Sequence, residues 1–174
     1  MGKHYINNEE FLKSLTEYRK SVRKAKREKI EKPAIPNYIG ECFMKIANHL
    51  ATKPNFANYS FRDEMVGDAI ENCLMYFENF DPKKSKNPFA YFTQIVFYAF
   101  LRRIAKENKN QYVKYKIFEN QILHSGELTA TEENSLKPSE IYANISEFTT
   151  NFEQKQKKKR KPVVKKGLEK FYNE

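Results

Sequence analysis

Phe80–Ile104 reads FDPKKSKNPFAYFTQIVFYAFLRRI. Pro88 suits the first turn of a helix, where its missing N–H leaves no bond unmade, and Asn87 before it can cap the free amides. From there no residue breaks the helix until about Tyr115, since NKNQ at 108–111 interrupts it only softly. The stretch carries seven aromatics, Phe80, Phe89, Tyr91, Phe92, Phe97, Tyr98 and Phe100, and closes on Arg102 and Arg103. Phe92, Val96, Ala99 and Phe100 have the spacing of a core stripe. One stripe cannot hide all of these rings, and those left over beside two arginines suit nucleic-acid bases.

The rest of the chain reads as helical too. Asn8 can cap a first helix with Phe11, Leu12, Leu15, Tyr18 and Val22 at three- and four-residue spacing. Pro33 and Pro36 break it. A second helix is predicted from about Tyr38 to Leu50, with Ile39, Phe43, Ile46, Ala47 and Leu50 inward and His49 at its boundary. ATKPNFANYS reads as a loop. Ser60 or Asp63 then starts a helix ending near Asn79, with Met65, Val66, Ala69, Ile70, Cys73, Leu74 and Phe77 on its apolar side. Residues 124–138 are polar enough for a linker, followed by a short helix from Ser139 to about Phe148. Beyond Thr150 the composition is that of a disordered chain, because QKQKKKRKPVVKK has too little to bury against an ordering cost of roughly 1–2 kcal/mol per residue. The expected fold class is all-α: a compact helical body and a disordered basic C-terminal arm. The expected divisions are 1–35, an amphipathic and basic helix; 36–122, the helical core; 123–152, linker and short helix; and 153–174, the arm.

Composition narrows the function classes. The chain has 174 residues, 40% of them hydrophobic and 14% aromatic, with a net charge of +10. The excess lies at the flanks: residues 19–32 hold eight Lys/Arg and residues 153–170 hold nine, whereas residues 33–152 hold 13 basic against 14 acidic, a net of −1. Within that middle the charges separate again. Asp63, Glu64, Asp68 and Glu71 form one cluster; Arg102, Arg103, Lys106, Lys109, Lys114 and Lys116 form another. A basic face suits a polyanion, whose counterions are released on binding. No apolar run is long enough for a membrane span, and the N-terminal residues lack the apolar segment of a signal peptide. Cys42 and Cys73 are far apart, with no CxxC, which disfavours zinc and a disulfide framework and points to a reducing cytoplasm. His4, His49 and His124 fall in separate segments and none of the common catalytic motifs occurs, so neither enzyme, cofactor nor metal site is expected. The terminal GLEKFYNE places Leu168, Phe171 and Tyr172 at the tip of a basic arm, a pattern suited to a groove on a partner.

The ungapped stretch Glu64–Ile104 resembles the conserved helical core of bacterial RNA polymerase sigma factors, in which an FDP-type turn precedes an aromatic helix with a Tyr-x-Thr pattern, here Tyr91 and Thr93. Closer still is its similarity to the late-transcription sigma factors of T-even-like bacteriophages, through EM-x(2)-D-x-IE, NFD, KNP-x-AY-x-TQ and the RRI ending; GLEKFYNE resembles that family's sliding-clamp-binding peptide. The resemblance implies a non-enzymatic specificity subunit for late genes, acting in the cytoplasm of an infected bacterial host. It implies that Glu64, Asp68 and Glu71 dock on a basic coiled coil of the largest subunit of the host RNA polymerase core. It implies that Tyr91, Phe92, Thr93, Gln94, Tyr98, Arg102, Arg103 and Lys106 contact an A·T-rich −10-type promoter DNA and help to open it. Leu168, Phe171 and Tyr172 would bind the phage sliding clamp, and a late coactivator is compatible with the scheme. Housekeeping sigma factors carry two tryptophans after Tyr-x-Thr, where this chain has Gln94 and Ile95, so the opening mechanism departs in detail. The alternative is a clamp-tethered polymerase-binding or single-strand-binding regulator that reads no promoter.

Overall fold

The computed structural model describes residues 5–125 and 138–160. Every regular element among them is helical: α1 (Asn8–Glu28), α2 (Asn37–Ala51), the short α3 (Pro54–Ala57), α4 (Arg62–Tyr76) with a 3₁₀ turn at Phe77–Asn79, α5 (Pro88–Ser125) and α6 (Pro138–Arg160). The all-α expectation holds. Contacts divide the chain into two units, Met1–Lys106 and Glu107–Glu174, and the division falls within α5. No described helix is long and apolar enough to cross a membrane.

In the first unit α1, α2, α4 and the start of α5 share one core. Phe11, Leu15 and Tyr18 come from α1, Ile39, Phe43, Ile46 and Ala47 from α2, Met65, Ala69 and Cys73 from α4, and Phe92, Val96, Ala99 and Phe100 from α5. Phe92 lies at its centre, with ring centroids 5.5 Å from Phe11 and 4.7 Å from Phe43. The segment read as a loop contains α3, whose Phe56 packs edge-on against Phe100 at 5.1 Å.

Helix ends are set by particular side chains. Asn7, not Asn8, caps α1: its Oδ1 accepts from the amides of Glu9 at 3.1 Å and Glu10 at 3.3 Å. Asn8 is used across the fold instead. Its Oδ1 accepts from the Phe89 amide at 3.1 Å, which serves the first turn of α5, and Asn87 Oδ1 accepts from the Ala90 amide at 3.0 Å, as the sequence predicts. Two asparagines distant in sequence thus satisfy amides that a helix start leaves open. Lys29 ends α1 in the left-handed region, at φ 55°, and its amide bonds back to Ala25.

Among the described residues of the second unit, α5 and α6 pair antiparallel, since the residue numbers of partners on α6 fall as those on α5 rise. Tyr112 stacks on Phe152 at 4.6 Å, and Tyr115 meets Phe148 edge-on at 5.3 Å. Tyr112 Oη donates to Glu153 Oε1 at 2.9 Å, and Lys116 Nζ lies 2.9 Å from Glu119 and 3.3 Å from Glu153. The bond from Tyr112, followed by Lys116, holds the Glu153 carboxyl below its ordinary range. These contacts correct two expectations. The helix predicted to stop near Phe148 continues to Arg160, and Glu153 belongs to it and not to a disordered arm. Composition alone underestimates the segment because its partners, Tyr112, Tyr115 and Lys116, lie on another helix. Most of the linker and the rest of the arm, residues 126–137 and 161–174, lie outside the described residues.

Candidate nucleic-acid and partner interface

The register of α5 decides which of its aromatics can meet a ligand. Phe92, Val96, Ala99 and Phe100 face inward, leaving Gln94, Phe97, Tyr98 and Leu101 on the outer side at i, i+3, i+4 and i+7. Tyr98 is 50% exposed, Leu101 42% and Phe97 39%. The Phe97 and Tyr98 rings stand edge-on at 5.8 Å, and Phe97 in turn rests edge-on against buried Phe56, also at 5.8 Å. α3 thereby props an outward pair of rings on a rigid helix. Tyr91 is half-buried, 5.3 Å from Phe80 and 5.1 Å from Phe92, so only part of its ring is open. The Thr93 hydroxyl donates to the Phe89 carbonyl at 2.7 Å, within its own helix.

α4 runs beside α5 and presents carboxylates. Glu64 and Glu71 are exposed on one face, with Gly67 between them, and the stripe continues into exposed Leu74 and Met75. A Cβ at Gly67 would meet nothing within 4 Å, so this face is open to solvent. Acidic at one end and apolar at the other, it suits a basic amphipathic helix of a partner. Cys73, on the inner side, has its thiol pushed up to about 12 by burial; burial also raises Cys42. Neither offers a thiolate nucleophile near neutral pH.

Polar contacts tie the two helices together. Arg103 Nε lies 2.9 Å from Asp68 Oδ2, an ion pair in which the arginine side chain is 15% exposed. Arg102 Nη2 donates to Asn72 Oδ1 at 2.6 Å, while Asn72 Nδ2 donates to the Asp68 carbonyl, also at 2.6 Å. Neither the family models nor the curated proteins compared with the chain match it.

Of the residues assigned to DNA from the sequence, then, Gln94, Tyr98, Arg102 and Lys106 are exposed, and Tyr91 and Thr93 are partly so. Phe92 is 0% exposed and cannot stack on a base without leaving the core. Arg103 is turned toward α4, where Asp68 neutralises it. The same pair takes Asp68 out of the set assigned to polymerase, leaving Glu64 and Glu71 of that set open; Asp63, also exposed on α4, lies 3.9 Å from Arg62. Phe97 and Leu101 were missed, although their i+3 and i+7 spacing from Gln94 was a legible signal. Leu168, Phe171 and Tyr172 lie outside the described residues.

Proposed function

We propose that this protein is a promoter-specificity subunit of a bacterial RNA polymerase, of the phage late-gene kind. The carrying observation is the outer face of α5, where Gln94, Phe97, Tyr98 and Leu101 lie together with Arg102 at their edge. Exposed rings on a rigid helix suit an unpaired strand, because base–aromatic stacking contributes about 1–3 kcal/mol per base without demanding one sequence. The reading gives α4 the role of holding polymerase, through Glu64, Glu71 and the adjoining Leu74 and Met75. The terminal Leu168, Phe171 and Tyr172 bind the sliding clamp, raising the local concentration of polymerase at DNA where upstream promoter contacts are lacking.

Run-off transcription tests the proposal. Added to bacterial core polymerase, the chain is expected to start transcripts from a template whose only promoter feature is an A·T-rich −10 element. Transcripts that do not depend on that element, or none from any such template, would overturn it. The second reading, a clamp-tethered regulator that binds polymerase or single strands without promoter recognition, draws on the Asp68–Arg103 pair and buried Phe92, which shorten the list of groups available to read DNA. It predicts core binding without initiation.

A further inference from the structure

The second half of α1 carries a charge pattern that the fold leaves unused. Lys20, Arg23, Lys24, Lys26 and Arg27 are all exposed. Among the described residues none of them forms an ion pair. Residues three and four apart are neighbours on a helix surface, so 20 with 23 and 24, 23 with 26 and 27, and 24 with 27 repel one another. Lys26 and Arg27 lie in the last turn, where the helix dipole favours cations. Lys20, Arg23 and Lys24 lie upstream of that effect, with Glu17 and Glu28 the nearest acids in sequence. Glu17 and Glu28 stand three and four residues from Lys20 and Lys24 but form no ion pair with them, and Arg23 has no acid at such a spacing, so pairing within the helix accounts for little of this charge.

The fold sets a second cationic segment beside them. Arg19 donates to the Phe80 carbonyl at 2.7 Å and pairs with Asp81 Oδ1 at 3.2 Å. The same Asp81 oxygen accepts from the Lys83 amide at 3.1 Å, and the Asp81 carbonyl accepts from the amides of Lys84 and Ser85. Further along, Asn8 Nδ2 donates to the Lys86 carbonyl at 3.3 Å. The turn is pinned to α1 at two points, and Lys83, Lys84 and Lys86 remain exposed. Arg23 and Lys26 rim a groove of about 260 Å³ between α1 and the segment entering this turn. Its rings, Tyr18, Phe77 and Phe80, are all buried and present little surface to an inserted side chain or base. Glu78 also lines the groove and is paired with Lys32, so the open cationic surface is that of α1 and the turn; recognition there rests on charge, which suits a regularly charged polymer better than one particular peptide.

We infer that Lys20, Arg23, Lys24 and Arg27 of α1, with Lys83 and Lys84 of the turn, bind the phosphate backbone of duplex DNA without reading its sequence. Such contacts position a protein on a duplex and specify nothing. The inference goes beyond the promoter reading and needs neither polymerase nor promoter, so the two can fail separately.

The test is fluorescence anisotropy of the full chain with a labelled duplex lacking any −10-like sequence, titrated at several salt concentrations. Each lost phosphate contact lowers the slope of log affinity against log salt by about 0.9 on a duplex and about 0.7 on a single strand. The variant Lys20→Ala/Arg23→Ala/Lys24→Ala is expected to lower the duplex slope by about 2 to 3 units, and Lys83→Ala/Lys84→Ala by about 1 to 2. Because Lys20, Arg23 and Lys24 are exposed and form no ion pair among the described residues, the α1 variant should stay folded and melt close to the parent. An unchanged duplex slope in both variants would overturn the inference. So would a loss confined to the single strand, or a loss of polyglutamate binding with DNA binding intact.

Discussion

Phe92 and Tyr98 lie less than two turns apart on α5, yet Phe92 is fully buried among Phe11, Phe43 and Phe80 while Tyr98 is half exposed beside Phe97. Both are aromatic, and both are candidate base contacts when the sequence is read alone. Their difference comes from register. Once α1 and α2 claim Phe92, the 3.6-residue repeat commits Val96, Ala99 and Phe100 to the same side and turns Gln94, Phe97, Tyr98 and Leu101 outward. One face stabilises the fold and the other stays exposed.

Substitutions on the two faces should therefore have opposite signatures. The largest effect is expected from Phe92→Ala, which removes a buried ring and should cost about 3–5 kcal/mol of folding stability in denaturant titrations. A loss below about 1 kcal/mol, against that range, would mean that Phe92 is not a core residue. Tyr98→Ala should leave stability within about 0.5 kcal/mol, as substitutions away from the core do, while weakening affinity for a single-stranded A·T-rich oligonucleotide by about 1–3 kcal/mol. Equal loss of stability and binding would erase the distinction between the faces.

The contrast also shows how much could be read from the chain alone. Helix identity was legible because Pro33, Pro36 and Pro88 punctuate strongly periodic apolar runs, and Asn87 was legible as a cap. The choice between Asn7 and Asn8 was not, because it depends on Asn8 reaching Phe89, far along the chain. Periodicity exposed the Phe92 stripe but could not say which of several possible stripes faced inward; that needed the rings of Phe11 and Phe43. The sorting of charge into an acidic and a basic cluster was legible too, whereas the pairing of one member of each, Asp68 with Arg103, is a tertiary fact. The length of α6 was hidden for the same reason, since its lysine-rich composition says nothing of the tyrosines on α5.

The Asp68–Arg103 pair joins α4 to the ring-bearing α5. A double-mutant cycle with Asp68→Asn and Arg103→Gln should give a coupling of about 0.5–1 kcal/mol, as expected where both groups retain some solvent contact. Zero coupling would free both residues for the roles first assigned to them. The smallest effect concerns Glu153 in the second unit. Its carboxyl is held low by Tyr112 and then Lys116, so its contribution is present above the unfolded carboxylate value and is lost as pH falls through the folded one. Amide protection factors along α6, taken against the intrinsic exchange rate at each pH, should fall on acidification in the parent, and less so in Glu153→Gln. The same acid response in both would assign the effect to another group.

In the proposed function the outer face of α5 meets the promoter strand. The most direct test places a photocrosslinking amino acid at position 98, assembles the chain with core polymerase on a template with an A·T-rich −10 element, and maps the adduct. Crosslinks to the −10 strand from position 98, dependent on polymerase and absent when the same group stands at position 74 on α4, are the expected result. Crosslinks to polymerase but not to DNA from position 98, or to the −10 strand from position 74, would remove the outer face of α5 from promoter contact.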